Sequence, residues 1–242
     1  MRKRWGVDRG VICGACARSI LFLFAAFFLT VPSLLFANGA QKVIVALGDS
    51  ITAGAPSFIS PLEYPPAGKG NEESQYSYWV MQAHPEWFVL NRGVSGERTD
   101  EILKRFDSDA LAHEPNIVIV MAGVNDLSQG YEPAWVKKHL TQIYRRAIAQ
   151  KINVLACTII PYNGATPGVQ ERMKEVNKWI MEYSELIGAG NCDTYKAMED
   201  KKRPGRLIST KDGLHPDIEG YQILGEKITG CLDLWVSEVW GE

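Results

Sequence analysis

Residues 43–52 read Val-Ile-Val-Ala-Leu-Gly-Asp-Ser-Ile-Thr, five apolar residues running into a glycine, an acid and a hydroxyl. A short apolar run without alternation, closed by turn residues, is the pattern of a strand buried on both faces. Similar runs recur at Phe88–Leu90, Ile117–Met121 and Val154–Ile160, with a weaker one at Asn191–Tyr195. Between them the apolar positions step by three and four. Val169, Met173, Val176, Ile180, Tyr183 and Ile187 predict a helix beginning near Pro167, and Val136, Leu140, Ile143 and Ala147 repeat the spacing. Ile102, Phe106 and Ala110 do so after Thr99, an expected N-cap. Ile218, Tyr221, Gly225, Ile228, Leu232 and Trp235 mark a terminal helix. Strands alternating with helices imply an α/β domain, its parallel strands joined by right-handed crossovers and covered by helices on both faces.

Open sheets of this kind bind ligands beyond the carboxyl ends of their strands, so chemistry is sought just after each apolar run. The first run is followed by Gly48-Asp49-Ser50-Ile51-Thr52, the second by Asn91-Arg92-Gly93-Val94-Ser95-Gly96, and the third by Ala122-Gly123-Val124-Asn125-Asp126. Before the last helix stands Asp212-Gly213-Leu214-His215-Pro216. Singly these are weak signals: Gly-Asp-Ser is as readily a turn, Asn-Asp after Gly is ordinary loop chemistry, and a lone His is more often structural.

Their joint order resembles the SGNH (GDSL-type) hydrolase family, in which a Ser, a Gly, an Asn and a His on four separated blocks form the active site. The resemblance covers residues 43 to about 235. It implies a flavodoxin-like three-layer α/β/α fold with a central parallel sheet, and a serine ester hydrolase that needs no metal or other cofactor. It makes Ser50 the nucleophile, His215 the general base and Asp212 its orienting carboxylate. The backbone N–H groups of Ser50 and Gly96 and the side-chain amide of Asn125 become the oxyanion hole. These roles suit the residue types. A serine hydroxyl needs a base within hydrogen-bond reach, and an imidazole serves when a carboxylate holds its tautomer. Asp49 and Asp126 are expected to cap backbone N–H groups in the turns after their strands.

The chain carries 26 Lys+Arg against 28 Asp+Glu, but residues 1–40 hold five of the bases and one acid, so residues 41–242 are mildly acidic. That argues against a nucleic-acid binder, which shows a basic stripe. Residues 20–37 run Ile-Leu-Phe-Leu-Phe-Ala-Ala-Phe-Phe-Leu-Thr-Val-Pro-Ser-Leu-Leu-Phe-Ala behind that basic stretch. This is the layout of a secretory signal peptide or an N-terminal membrane anchor, with residues 41–242 exported as the hydrolase domain in either case. Cys13-Gly14-Ala15-Cys16 falls in this leader, outside any packed domain, and reads as coincidence. In the body, Cys192 and Cys231 are candidates for a disulfide that spacing alone leaves open.

The connection Ala55–Ser77, rich in Pro and Gly, is long for a compact domain and begins five residues after Ser50. Phe58, Leu62 and Tyr64 are its candidate substrate-wall residues, with Pro161–Gly168 facing them. The other histidines, His84, His113 and His139, lack metal-ligand spacing, and His139 reads as a helix-surface residue. No P-loop is present, and Gly188-Ala189-Gly190 lacks the third glycine of a dinucleotide fingerprint. The expected substrate is a small-molecule, lipid or glycan ester. A short-chain or acetyl ester is favoured, with lysophospholipase or thioesterase activity as the alternative; a non-catalytic carbohydrate- or partner-binding relative is a further alternative.

Overall fold

The structure, a computed structural model, describes residues 41–240. The expected leader, with its apolar run and Cys13/Cys16, lies outside the described residues. The chain enters on strand β1 (Lys42–Gly48) and turns into a short helix α1 (Ser50–Ala53). A two-stranded antiparallel hairpin follows, β2 (Phe58–Ile59) and β3 (Lys69–Gly70), then α2 (Tyr76–Ala83) and β4 (Trp87–Gly93). Next come α3 (Thr99–Lys104), α4 (Phe106–Asp109), β5 (Ile117–Met121), α5 (Val124–Ser128), α6 (Pro133–Ala149) and β6 (Asn153–Cys157). The chain continues through α7 (Pro167–Leu186), β7 (Gly190–Cys192), α8 (Thr194–Met198) and α9 (Ile218–Trp240). The five long-range strands form one parallel sheet in the order β4-β1-β5-β6-β7.

The unbroken apolar runs are explained by a sheet covered twice. Successive side chains of a strand point to opposite faces. Val45 and Leu47 of β1, Val118 and Val120 of β5, and Val154 and Ala156 of β6 pack under α3, α5, α6 and α7. Their neighbours Ile44, Ala46, Ile117, Ile119 and Leu155 pack under α2, α8 and α9. Fully burying one such aliphatic side chain contributes about 1.5–3 kcal/mol. Helix α7 begins at Pro167, where proline's missing N–H costs nothing, and the Thr166 hydroxyl accepts from the N–H of Val169.

Several local expectations are corrected. The fourth strand stops at Cys157, because Asn177 of α7 bonds both the N–H (2.7 Å) and the carbonyl (2.9 Å) of Ile159 and draws the chain out of the sheet. The fifth spans only Gly190–Cys192, and Tyr195 lies in α8. The segment expected as one helix through Ile102, Phe106 and Ala110 breaks at Arg105 into α3 and α4. Thr99 is not the cap but the first helical residue, and its hydroxyl donates to Asp126 instead. His139 is buried rather than on the helix surface, edge-on against Trp135 with ring centroids 4.5 Å apart. Cys192 and Cys231 form a disulfide between β7 and α9, with Cα atoms 5.7 Å apart.

Candidate active site

The carboxyl end of β1 sets the position of Ser50. Gly48 is required for space, since a Cβ there would collide with the Thr52 hydroxyl and the Met121 carbonyl. Asp49 caps the turn as its residue type suggests, its Oδ1 accepting from the N–H of Ile51 at 3.0 Å. Ser50 then opens α1 with its side chain at the carboxyl edge of the sheet, 7% exposed.

The loop before α9 reaches this point from the other end of the chain. His215 Nε2 lies 3.0 Å from Ser50 Oγ, and His215 Nδ1 lies 2.7 Å from Asp212 Oδ2. The second carboxylate oxygen of Asp212 accepts from the N–H groups of Leu214 and His215, each at 2.8 Å. Burial raises the pKa of Asp212, but the donors from the His215 backbone, the His215 ring and the Leu214 backbone outweigh it and bring the value down to about 2. The carboxylate is therefore ionised beside the ring at any ordinary pH. With Nδ1–H donated to that carboxylate, Nε2 is left as an acceptor facing the serine hydroxyl.

Two residues missed in the sequence reading hold this loop. The Thr210 hydroxyl donates to the His215 carbonyl at 2.7 Å and accepts from the N–H of Gly213 at 2.9 Å. Asn163 donates its backbone N–H to the Gly213 carbonyl at 2.6 Å, while its side-chain oxygen accepts from Leu207. The segment Pro161–Gly168, expected as a substrate wall, thus clamps the Asp212–His215 turn. A threonine two residues before the acid was the one available signal for Thr210.

Gly96 sits in the loop after β4 with φ +80°, a conformation that requires glycine even though open space surrounds its Cβ position. Asn125 donates from Nδ2 to the Glu97 carbonyl at 2.9 Å, which ties it to the residue after Gly96 and leaves its second amide hydrogen unused by that bond. Asp126 does not cap its own turn. It is fully buried and accepts from both the N–H (3.0 Å) and the hydroxyl (2.7 Å) of Thr99, pinning the start of α3.

The Ala55–Ser77 connection borders the site. Phe58 is buried against Gly54 and Gly68, Leu62 is half-buried, and Tyr64 is exposed with the Lys69 ammonium over its ring. Pro56 and Ser57 line a groove of about 210 Å³ beside His215, opposite Lys211, Asp217, Ile218 and Glu219. Ser60 and Glu63 anchor the connection to the β4 loop, Ser60 Oγ donating to the Gly93 carbonyl and Glu63 accepting from Ser95. Among the described residues, no group of three or more His, Cys, Asp or Glu is arranged to hold a metal ion.

Comparisons with known proteins agree with this architecture. Residues 46–223 match the model of the GDSL-like lipase/acylhydrolase family. An acetylxylan esterase of Geobacillus stearothermophilus is 24% identical over 211 residues, 77% of this chain and 91% of that protein. The thioesterase 1/protease 1/lysophospholipase L1 of Escherichia coli K12 is 26% identical over 141 residues, 56% of this chain and 60% of that protein. Among solved structures, a lipolytic protein of the G-D-S-L family from Desulfitobacterium hafniense superposes with a TM-score of 0.65 at 26% identity, covering 79% of this chain and 99% of the other. A lipase/acylhydrolase from Enterococcus faecalis gives 0.62 at 28% identity, covering 79% and 95%. With the parallel sheet, the four blocks at its carboxyl edge and the family match over most of its length, the chain belongs to the GDSL-like lipase/acylhydrolase family.

Proposed function

We propose that the protein is a serine carboxylic-ester hydrolase working through an acyl-enzyme. The observation that carries the reading is the continuous line Ser50 Oγ–His215 Nε2–His215 Nδ1–Asp212 Oδ2, with steps of 3.0 and 2.7 Å between side chains. Ser50 Oγ attacks the ester carbonyl carbon as its proton passes to His215 Nε2. The carbonyl oxygen becomes an oxyanion received by the Ser50 and Gly96 N–H groups and the Asn125 amide, each such donor supplying about 3–4 kcal/mol. Collapse breaks the bond to the alcohol oxygen, which takes the proton from His215. Water then attacks the acyl-Ser50 carbonyl, giving its proton to His215, and the acid leaves as Ser50 recovers its hydrogen.

The acyl group in this reading is short. The leaving alcohol must lie within reach of His215, where the 210 Å³ groove offers Lys211, Asp217, Glu219 and Ser57. Pro56, Pro216 and Ile218 line the same groove, so it offers a leaving alcohol apolar surface as well as hydrogen-bonding groups. The similarity to an acetylxylan esterase supports an acetyl ester, and the similarity to a thioesterase and lysophospholipase keeps those esters in the comparison. We also assign the domain an exported location, either secreted or tethered through residues 20–37. The basic-then-apolar leader supports this, as does the Cys192–Cys231 disulfide, a bond that reducing cytosol does not ordinarily keep.

The test is a panel of acetylated oligosaccharides, p-nitrophenyl esters of increasing acyl length, lysophospholipids and acyl thioesters. Acetyl esters should show the highest kcat/KM, with a steep fall beyond a few acyl carbons. A preference for long-chain lysolipids or thioesters would replace the acetyl reading. No turnover of any ester would favour the binding-module alternative.

A further inference from the structure

Arg105 stands at the break between α3 and α4, and its side chain, only 14% exposed, makes four hydrogen bonds. Nε donates to Glu97 Oε2 at 2.6 Å, Nη1 to the Arg92 carbonyl at 3.0 Å and to Asp109 Oδ2 at 2.9 Å, and Nη2 to the Gly48 carbonyl at 3.0 Å. Gly48 is two residues before Ser50. Arg92 and Glu97 bracket the loop that carries Gly96, and the Glu97 carbonyl accepts the Asn125 amide. One planar cation therefore bonds the chain beside Ser50 and on both sides of Gly96, and reaches Asn125 through Glu97.

We propose that Arg105 is a positioning residue for the oxyanion cradle, fixing the spacing of the Ser50, Gly96 and Asn125 donors without touching substrate. The inference rests on the reading of Ser50 as nucleophile. Donors stabilise a developing oxyanion only if already in place, and small misplacements are costly: about 1 Å can lower the rate about 10²-fold. An ordinary structural ion pair needs only a charge opposite Glu97 and Asp109. The bonds to two backbone carbonyls need the rigid fork of donors that arginine has and lysine lacks.

The experiment measures kcat and KM on p-nitrophenyl acetate for Arg105→Lys, Arg105→Met, Asn125→Ala and the Arg105→Met/Asn125→Ala double variant, with circular dichroism confirming the folded fraction. Both Arg105 variants should lower kcat per folded enzyme by about 10- to 10²-fold while KM moves little. Asn125→Ala should cost about 10²–10³-fold in the wild-type background and distinctly less in Arg105→Met, since both act through one cradle. If Arg105→Met does not fold, Arg105→Lys, which keeps the charge beside Glu97 and Asp109, carries the test alone. Wild-type kcat in Arg105→Lys, or effects of Arg105→Met and Asn125→Ala that simply multiply, would overturn the proposal. Ser50→Ala is run alongside: activity surviving there refutes the nucleophile itself, whatever Arg105 does.

Discussion

Asp49 and Asp212 are the same side chain in two opposite environments. Asp212 keeps its charge because three donors converge on it, at a pKa of about 2. Asp49, adjacent to Ser50, is wholly buried. Burial pushes it up to about 7, against the pull of the Ile51 N–H and with help from the nearby Asp126 and Glu97 charges. The first suits a group that must orient an imidazole. The second describes a turn-forming residue that carries a proton through the mildly acidic range. An acid whose folded value lies above its unfolded one, about 3.9, binds more protons folded than unfolded between those limits, so its contribution to stability falls as pH rises through that window. Wild-type protein should therefore lose more stability between pH 5 and pH 8 than Asp49→Asn, whose amide oxygen can still accept from Ile51. Urea melts at the two pH values check this, and equal losses in both proteins would contradict it.

At the scale of elements, β1 and β5 were legible almost to the residue, because a strand buried on both faces has nowhere to put a polar side chain. Strand β7 was not. Gly190-Asn191-Cys192 has no apolar run, and its strand conformation comes from pairing with β6. The α3–α4 break was hidden for a related reason: the apolar spacing of Ile102, Phe106 and Ala110 continues across it, while the cause is a set of distant carbonyls that draw in Arg105. Ser50, His215 and Asp212 could be proposed because their chemistry is carried by residue type. Arg105 and Asn163 act through backbone groups far away in sequence, which nothing in their identity marks, and Thr210 acts through a local turn whose one signal is its place two residues before Asp212. An aromatic in a long loop is as useful for closing a hairpin as for meeting a ligand, and Phe58 is buried in the β2–β3 hairpin. The disulfide could be named as a candidate pair but not established, since 39 residues separate its cysteines and only the fold brings them together. It closes a loop between the edge strand and the last helix, and chain-entropy bookkeeping for that length gives about 4 kcal/mol. The double variant Cys192→Ala/Cys231→Ala should lose about that amount in urea unfolding; an unchanged midpoint would show that the loop is held by packing alone.

For the molecule as a whole, the parallel sheet explains why residues 165 apart in the chain can meet. Strands running the same way bring every strand-to-helix turn to one edge, where the turns after β1, β4 and β5 and the loop before α9 supply Ser50, Gly96, Asn125 and His215. Long-range bonds from Arg105, Glu63 and Asn163 then fix these loops against one another. The most direct test is reaction of the purified protein with a fluorophosphonate, followed by peptide mass mapping. A single adduct on Ser50 is predicted, absent in Ser50→Ala and formed orders of magnitude more slowly in His215→Ala. An adduct on another residue, or an unchanged labelling rate without the imidazole, would contradict the account.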